Sequence, residues 1–229
     1  MQAFFFNRRF WLLAGLLLLV VPVAATLLAG MIGLEATSRE SGPLELTQEV
    51  SLILAALLYA AAAVRQQQAE RMASAGASVV AIVFFLRELE LPATGPVTAY
   101  LDSSSFRWHE AVVVAAIAIS YLALRWRLIP VFVQYLRELR AWPYVLVAAL
   151  LVAGALIDGR HWLWGIGFLP ATIEESFEAA AYLIFLLTSL HVYRHAAAAS
   201  AKPASLRRDA GAGLLPTGAT PERVHIRQR

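Results

Sequence analysis

The sequence of 229 residues contains no cysteine and a single lysine, Lys202. The absence of thiols excludes a disulfide framework, a cysteine nucleophile and a thiolate metal site. Charged residues are also scarce, at 15% of the chain, whereas an average soluble domain has about 25%. Hydrophobic residues make up 59%, and the mean hydropathy is +0.63. A chain this short cannot bury so much apolar surface in a water-soluble core, so the composition predicts an integral membrane protein.

The apolar segments are long, unbroken and rich in Ala and Leu. Spanning segments must satisfy their own backbone hydrogen bonds, which restricts them to helices or closed barrels, and the alternation of a barrel strand is absent from the sequence. We therefore predict an all-α transmembrane bundle over residues 1–200, with about six helices. At roughly 20 residues per crossing, the predicted spans are residues 10–34, 47–64, 73–88, 106–126, 143–158 and 172–194.

The positive charges indicate the orientation of these spans, because short inner loops of membrane proteins carry an excess of Lys and Arg. With the N-terminus inside, 15 of the 19 Lys and Arg residues lie on the inner side. The outer side keeps Arg39, Arg87, Arg107 and Arg160. This asymmetry predicts that both termini lie in the cytoplasm. The bias toward Ala and Arg suggests a bacterial source, and hence the bacterial inner membrane.

Two segments are not predicted to span the membrane. Residues 130–141 place apolar side chains among Arg137, Glu138 and Arg140, which is typical of a basic amphipathic helix on the inner membrane surface. Residues 201–229 are rich in Ala, Gly, Pro and Arg without a periodic apolar face, which predicts a disordered basic cytoplasmic tail. Binding to the membrane surface explains the arginines of the tail, so no nucleic-acid partner is expected.

The N-terminal segment has an alternative interpretation. Arg8 and Arg9, an apolar run and the small residues Val23-Ala24-Ala25 are typical of a cleaved secretory signal. The apolar run continues to Leu34, well beyond that cleavage site, which favours an uncleaved first span. Cleavage would leave five spans, with the N-terminus outside.

Ionisable residues recur where the predicted spans meet the outer surface. They are Arg87 and Glu88 at the third span, His109 and Glu110 at the fourth, Asp158 and His161 at the fifth, and Glu174, Glu175 and Glu178 at the sixth. Because successive spans alternate in direction, we expect all of these residues at one depth. Glu178 lies farthest inside its span, so its carboxylate should face the protein interior and have a partner.

Such a cluster could act in three ways. It could bind a divalent metal, with His109, His161 and Glu178 as candidate ligands. It could bind or relay protons, since neighbouring carboxylates favour each other's protonation. It could also supply a general acid and a general base at the outer face.

A structural explanation competes with these functions. Thr172 and Glu175 have the spacing of a capping box, with Thr172 as the residue that caps the helix. Acidic residues also stabilise any helix N-terminus through the helix dipole, which would account for Glu49, Glu110 and Glu174 as well. Glu178 lies beyond the first turn and is least explained in this way.

Three functions remain open at the level of sequence. The first is a non-enzymatic membrane protein whose outer cluster binds a cation or proton, or stabilises the bundle. The second is a metal-dependent membrane enzyme acting on a lipid or periplasmic substrate. The third is a scaffold subunit for a soluble partner. Beyond the lipid bilayer, the expected partners are other membrane subunits or further copies of the chain.

Overall fold

A computed structural model describes residues 2–39, 42–89, 95–101, 103–137, 141–159 and 162–201. The predicted tail from residue 202 onward therefore lies outside the described residues, as do Arg160 and His161. The described part of the chain is almost entirely helical, which confirms the all-α prediction. Its α-helices are α1 (Arg8–Ile32), α2 (Leu34–Ser38), α3 (Pro43–Arg65), α4 (Gln68–Glu88), α5 (Pro96–Leu101), α6 (Ser104–Leu124), α7 (Ile129–Arg137), α8 (Trp142–Ala155) and α9 (Leu169–Ala201).

Five stretches of the described chain, one of which combines α2 and α3, are long and apolar enough to cross a membrane by length and composition. They are Arg8–Ile32, Leu34–Arg65, Gln68–Glu88, Ser104–Leu124 and Leu169–Ala201. The fifth predicted span, residues 143–158, corresponds to α8, which is apolar but has only 14 residues. At 1.5 Å per residue α8 is about 21 Å long, so it is shorter than a bilayer core of about 30 Å.

Helix α9 lies at the centre of the bundle and packs against α1, α2, α3 and α8, while α4 packs against α3. The buried surfaces of α3 and α9 are rich in alanine, which allows two helices to approach closely. The alanines concerned are Ala55, Ala56, Ala62 and Ala63 on α3, and Ala179, Ala180 and Ala181 on α9. Larger side chains, such as Leu52, Tyr59 and Ile184, fill the space between them.

The observed helix ends depart from the predicted spans by several residues. Helix α1 ends one residue before Gly33, whose φ of +92° is accessible to glycine at little cost, and α2 then begins at Leu34. Helix α9 begins at Leu169, three residues before the predicted start, with Pro170 in its first turn. Proline is tolerated there because the first N–H groups of a helix have no intrahelical acceptor.

Helix α6 differs from the other long helices because none of its most apolar stretch is buried in the described structure. An apolar cavity of about 440 Å³ separates α6 from α4, with Gly76 and Val80 on one wall and Ile117 and Tyr121 on the other. The side chains of α6 are therefore exposed to the surroundings of the bundle on most sides.

The N-terminal residues are packed against the bundle. Ala3 and Phe4, in a short 3₁₀ helix over Gln2–Phe4, are buried, and the carbonyl oxygen of Phe5 lies 2.8 Å from His191 Nε2 on α9. The hydroxyl of Tyr135 on α7 donates to the carbonyl of Phe4 at 3.4 Å. Cleavage after residue 25, the alternative interpretation of this segment, would remove these contacts together with most of α1.

The predicted amphipathic segment 130–141 corresponds to α7, which ends at Arg137, and residues 138–140 lie outside the described residues. Between α8 and α9, strands β1 (Trp162–Leu163) and β2 (Ile166–Gly167) form a short antiparallel hairpin. No strand was predicted there. The tight turn uses Gly165 at a φ of +77°, a conformation that glycine adopts readily.

Candidate cation or proton site

Helix α9 carries three glutamates near its outer end, and its observed start changes how they are explained. Thr172 lies inside the first turn, where its hydroxyl donates to the carbonyl of Phe168 at 3.0 Å. Thr172 is therefore not the capping residue, and the predicted capping box with Glu175 is wrong. Glu174, Glu175 and Glu178 all lie beyond the first turn of α9, where the favourable effect of the helix dipole on acidic residues has faded.

The same correction applies to two other helices. The acidic residue in the first turn of α3 is Glu45, so Glu49 lies beyond that turn. Helix α6 begins at Ser104 and has no acidic residue in its first turn, so Glu110 is also too far along its helix. Stabilisation of helix N-termini therefore accounts for none of the glutamates that it was expected to explain.

Glu178 is the most buried carboxylate of the described structure, with 8% of its surface exposed. It lies where α9 faces α8, and its Cγ is 3.6 Å from the position that a Cβ would take on Gly154. A side chain larger than that of alanine at Gly154 would enter the space that Glu178 occupies. A carboxylate held among helices in this way must be compensated by a hydrogen bond, a cation or a proton.

Hydrogen bonds from neighbouring helices hold two further carboxylates beside Glu178. Gln48 of α3 is fully buried and donates from Nε2 to Glu175 Oε2 at 2.6 Å, and to the backbone oxygen of Glu175 at 3.3 Å. Tyr182, one turn after Glu178 on α9, donates its hydroxyl to Glu88 Oε1 on α4 at 2.9 Å. These bonds tie α3, α4 and α9 together at one end of the bundle.

The carboxylates of this end lie close enough to interact electrostatically. Glu178 interacts with Glu88, Glu174 and Glu175, and Glu88 also interacts with Glu45 and Glu49. We call this group the carboxylate cluster; its members are Glu45, Glu49, Glu88, Glu174, Glu175 and Glu178. Asp158, exposed at the end of α8, interacts with Glu174 at its edge.

Arg87 brings a positive charge to this cluster. Its side chain is exposed on α4 and interacts with Glu88, Glu174 and Glu178. Because this guanidinium is in contact with solvent and partly screened, it offsets only part of the negative charge of Glu88, Glu174 and Glu178.

His109 and Glu110, two further predicted site residues, lie on α6 and not on the helices that carry the cluster. His109 is exposed on α6, where its Nδ1 lies 2.9 Å from the Tyr100 hydroxyl. Glu110 follows it on the same helix, while His161 lies outside the described residues. Among residues 2–201 as far as they are described, no three His, Asp or Glu side chains are placed to hold a metal ion together. The proposed set of His109, His161 and Glu178 is thus not assembled by the described residues.

Sequence reasoning missed the neutral groups that organise this end of the bundle. Gln48 lies between Glu45 and Glu49 in sequence. Tyr182 is four residues after Glu178, so helical spacing could have placed Tyr182 on the same face of the helix as Glu178. A second polar group lies deeper, where the Tyr59 hydroxyl is 2.7 Å from Thr188 Oγ1 and 3.0 Å from the Tyr144 hydroxyl. The interface of α3 and α9 is therefore polar at several levels.

Comparison with known proteins gives no relative from which a function could be transferred. No protein-family model, no curated protein and no solved structure matches the chain.

Proposed function

We propose that this chain is a multi-pass protein of a bacterial inner membrane, with both termini in the cytoplasm, whose carboxylate cluster binds a cation or a proton near the outer surface. The five long apolar helices and the distribution of Lys and Arg support the membrane location and the orientation. The lipid bilayer is the proposed partner of the exposed apolar side chains, such as Leu19, Ile119 and Leu124.

The observation that carries the proposal is the burial of Glu178 among other carboxylates. Two unit charges about 4 Å apart repel each other by about 4 kcal/mol at an effective dielectric constant of about 20. The repulsion is weaker at longer separations, but even one such close pair would offset a large part of the stability of an ordinary domain, about 5–15 kcal/mol. Uptake of a proton or of a cation removes this repulsion, whereas the exposed Arg87 relieves only part of it.

The chemistry of the cluster restricts the ligand. Its carboxylates supply oxygen ligands, and oxygen ligands prefer hard cations such as Na⁺, Mg²⁺ or Ca²⁺. A dehydrated divalent ion needs several carboxylates converging on one point, and the described side chains do not converge in this way. A proton, or a cation that keeps part of its water shell, fits this spacing better.

The test is thermal unfolding of the purified, detergent-solubilised chain across a pH series, and at fixed pH with Na⁺, K⁺, Mg²⁺ or Ca²⁺. We expect acid or one of the cations to raise Tm, because a bound ligand at a hundred times its Kd stabilises the folded state by about 2.7 kcal/mol. The substitution Glu178→Gln should remove this dependence. The matched control is Glu35→Gln, which changes an exposed glutamate on α2.

The control variant should behave as the unsubstituted protein does. If Glu178→Gln and Glu35→Gln retain the same dependence on pH and on every cation, the cluster does not bind the ligand through Glu178, and the proposal fails.

A further inference from the structure

The opposite end of the bundle contains a polar cavity that the proposed function does not use. It has a volume of about 670 Å³ and lies where α3 and α9 end and α4 begins. Its lining residues are Ala3, Arg65, Gln66, Gln67, Glu70, His195, Ala196, Ala198, Ala199 and Ser200. In the orientation proposed above, this cavity opens toward the cytoplasm.

Arg65 places a positive charge at the wall of this cavity. Its guanidinium lies 5.0 Å from the centre of the Tyr193 ring, and its Nη1 donates to the carbonyl of Ala61 at 2.9 Å. These two contacts fix the guanidinium, yet the hydrogen bond uses only one of its five N–H donors. His195, exposed on α9, contributes a second nitrogen-bearing side chain to the same cavity.

The start of α4 adds backbone donors to this wall. Gln67 is the residue that precedes the helix, and its side chain makes no capping hydrogen bond to the first turn. The first N–H groups of a helix have no intrahelical acceptor, and together with the helix dipole they attract anions. Since α4 has 21 residues, this effect is fully developed at its N-terminus.

Gln66 independently indicates that a ligand with acceptor atoms belongs here. Only 6% of its surface is exposed, and its Oε1 accepts a hydrogen bond of 2.6 Å from the Ser74 hydroxyl. Its Nε2 finds no acceptor in the described part of the chain. Buried amide groups of folded proteins are almost always hydrogen-bonded, because an unmet donor destabilises the fold. The wall of the cavity therefore contains a buried donor that has no acceptor among the described residues.

We propose that this cavity binds a phosphate-type oxyanion, held by Arg65, Gln66 and the N-terminus of α4. Phosphate oxygens are acceptors only, and their charge matches both an arginine and a helix N-terminus. Glu70 also lines the cavity, but its carboxylate accepts the backbone N–H of Ala3 at 3.3 Å. Its charge repels an anion, which places the oxyanion on the Arg65 side.

The phosphate could come from two sources that share this chemistry. One is the head group of an anionic phospholipid of the inner leaflet, because on the proposed orientation the cavity lies at the cytoplasmic end of the helices. The other is a soluble phosphate from the cytoplasm. Neither source depends on the carboxylate cluster, so this proposal and the proposed function can fail separately.

The experiment measures binding of three probes to the purified full-length chain in detergent. The probes are dioctanoyl phosphatidylglycerol, dioctanoylglycerol, which has the same tails without phosphate, and inorganic phosphate. We expect the phosphate-bearing probes to bind and dioctanoylglycerol to bind much more weakly. Preference for the phospholipid over inorganic phosphate assigns the site to a lipid head group, and equal binding assigns it to a soluble phosphate.

Substitutions locate the binding at the cavity. Arg65→Gln should weaken binding about tenfold, since loss of one charge-assisted hydrogen bond corresponds to roughly that change in Kd. Gln66→Glu should weaken it further, because it keeps an acceptor for Ser74 but replaces the amide donor with a negative charge. The matched control is Arg125→Gln, since Arg125 also lies over an aromatic ring, at 5.6 Å from the centre of Tyr121, but does not line the cavity.

Two results would overturn the proposal. One is equal binding of dioctanoylglycerol and the phospholipid without binding of inorganic phosphate. The other is an equal effect of Arg65→Gln and Arg125→Gln. The Tm of each variant shows whether it is folded. If Gln66→Glu does not fold, Arg65→Gln still tests the proposal, because Arg65 is exposed and its substitution should leave the fold intact.

Discussion

Gln48 is the residue at which the crowding of negative charge can be measured most directly. Its Nε2 lies 2.6 Å from Glu175 Oε2, and the side chain is fully buried. The substitution Gln48→Glu keeps the length of the side chain but replaces the donor with a carboxylate oxygen. At a separation of about 4 Å the new pair repels by about 4 kcal/mol at an effective dielectric constant of about 20. Because 1 kcal/mol shifts Tm by about 2–4 °C in a chain of this size, we expect a loss of about 8–16 °C.

The control for this substitution is Gln48→Met, which has a similar length and no charge. It removes the hydrogen bond to Glu175 but adds no repulsion, so its Tm should be lower than that of the unsubstituted protein and should not depend further on pH. Gln48→Glu should instead recover stability as the pH falls, because one proton shared by two carboxylates removes the repulsion and restores a hydrogen bond.

The measurement is a thermal scan of both variants in detergent, in which the intrinsic fluorescence of the six tryptophans reports unfolding. The difference in Tm between the two variants isolates the charge from the loss of the amide. If Gln48→Glu is as stable as Gln48→Met at neutral pH, or does not recover in acid, the carboxylates are not crowded and the reasoning fails.

Three further substitutions test individual contacts by thermal unfolding. Tyr182→Phe removes the hydroxyl that donates to Glu88, and should lower the free energy of unfolding by about 1–2 kcal/mol. An unchanged Tm would mean that this hydrogen bond does not form. Gly154→Leu should lower Tm by forcing α8 away from Glu178. Gly154→Ala should be tolerated, because the added Cβ would lie 3.6 Å from its nearest atoms, which is an ordinary contact distance. Equal Tm values for the two variants would contradict close packing of α8 against α9. Phe4→Ala should cost about 3–5 kcal/mol if the N-terminal residues are part of the core, and no loss would show that they are not.

The positions of the helices were predictable because hydropathy marks which segments prefer an apolar surrounding. The predicted spans 47–64 and 172–194 lie within α3 and α9, but both helices extend farther at each end. The N-terminal extensions contain Pro43 and Pro170, each in the first turn of its helix. A hydropathy profile does not register this preference of proline for the start of a helix.

Hydropathy did not distinguish helices that pack from helices that do not. The most apolar stretches of α6 and α9 have the same mean hydropathy of 1.3, yet 0% of one and 56% of the other is buried. Lipid and protein are both apolar surroundings, so transfer energies are similar in either case. Which helices become neighbours depends on side-chain shape, such as the alanines of α9, and composition alone does not contain that information.

The candidate site was predictable only in its coarse position. Alternating helix direction was enough to expect Glu88 and Glu178 at one end of the bundle. Their hydrogen-bond partners depend on the rotation of each helix about its axis, which determines that Gln48 faces α9 while Glu49, the next residue, does not make that bond. His109 was expected at the cluster because of its predicted depth along α6. Depth alone does not determine whether a helix packs against the rest of the bundle, and within the described residues α6 does not pack closely against α3 or α9.

The length and continuity of α9 have a mechanical consequence. It contains neither proline nor glycine between Pro170 and its last residue, Ala201, so no sequence feature favours a kink there. Glu178 and His195 are thus on one stiff rod, about 26 Å apart along its axis. The hydrogen-bonded contact between Tyr59 and Thr188 lies between them. A stiff helix transmits a tilt along its whole length, so a displacement of α9 at Glu178 would also move the residues of α9 that line the cavity at its other end.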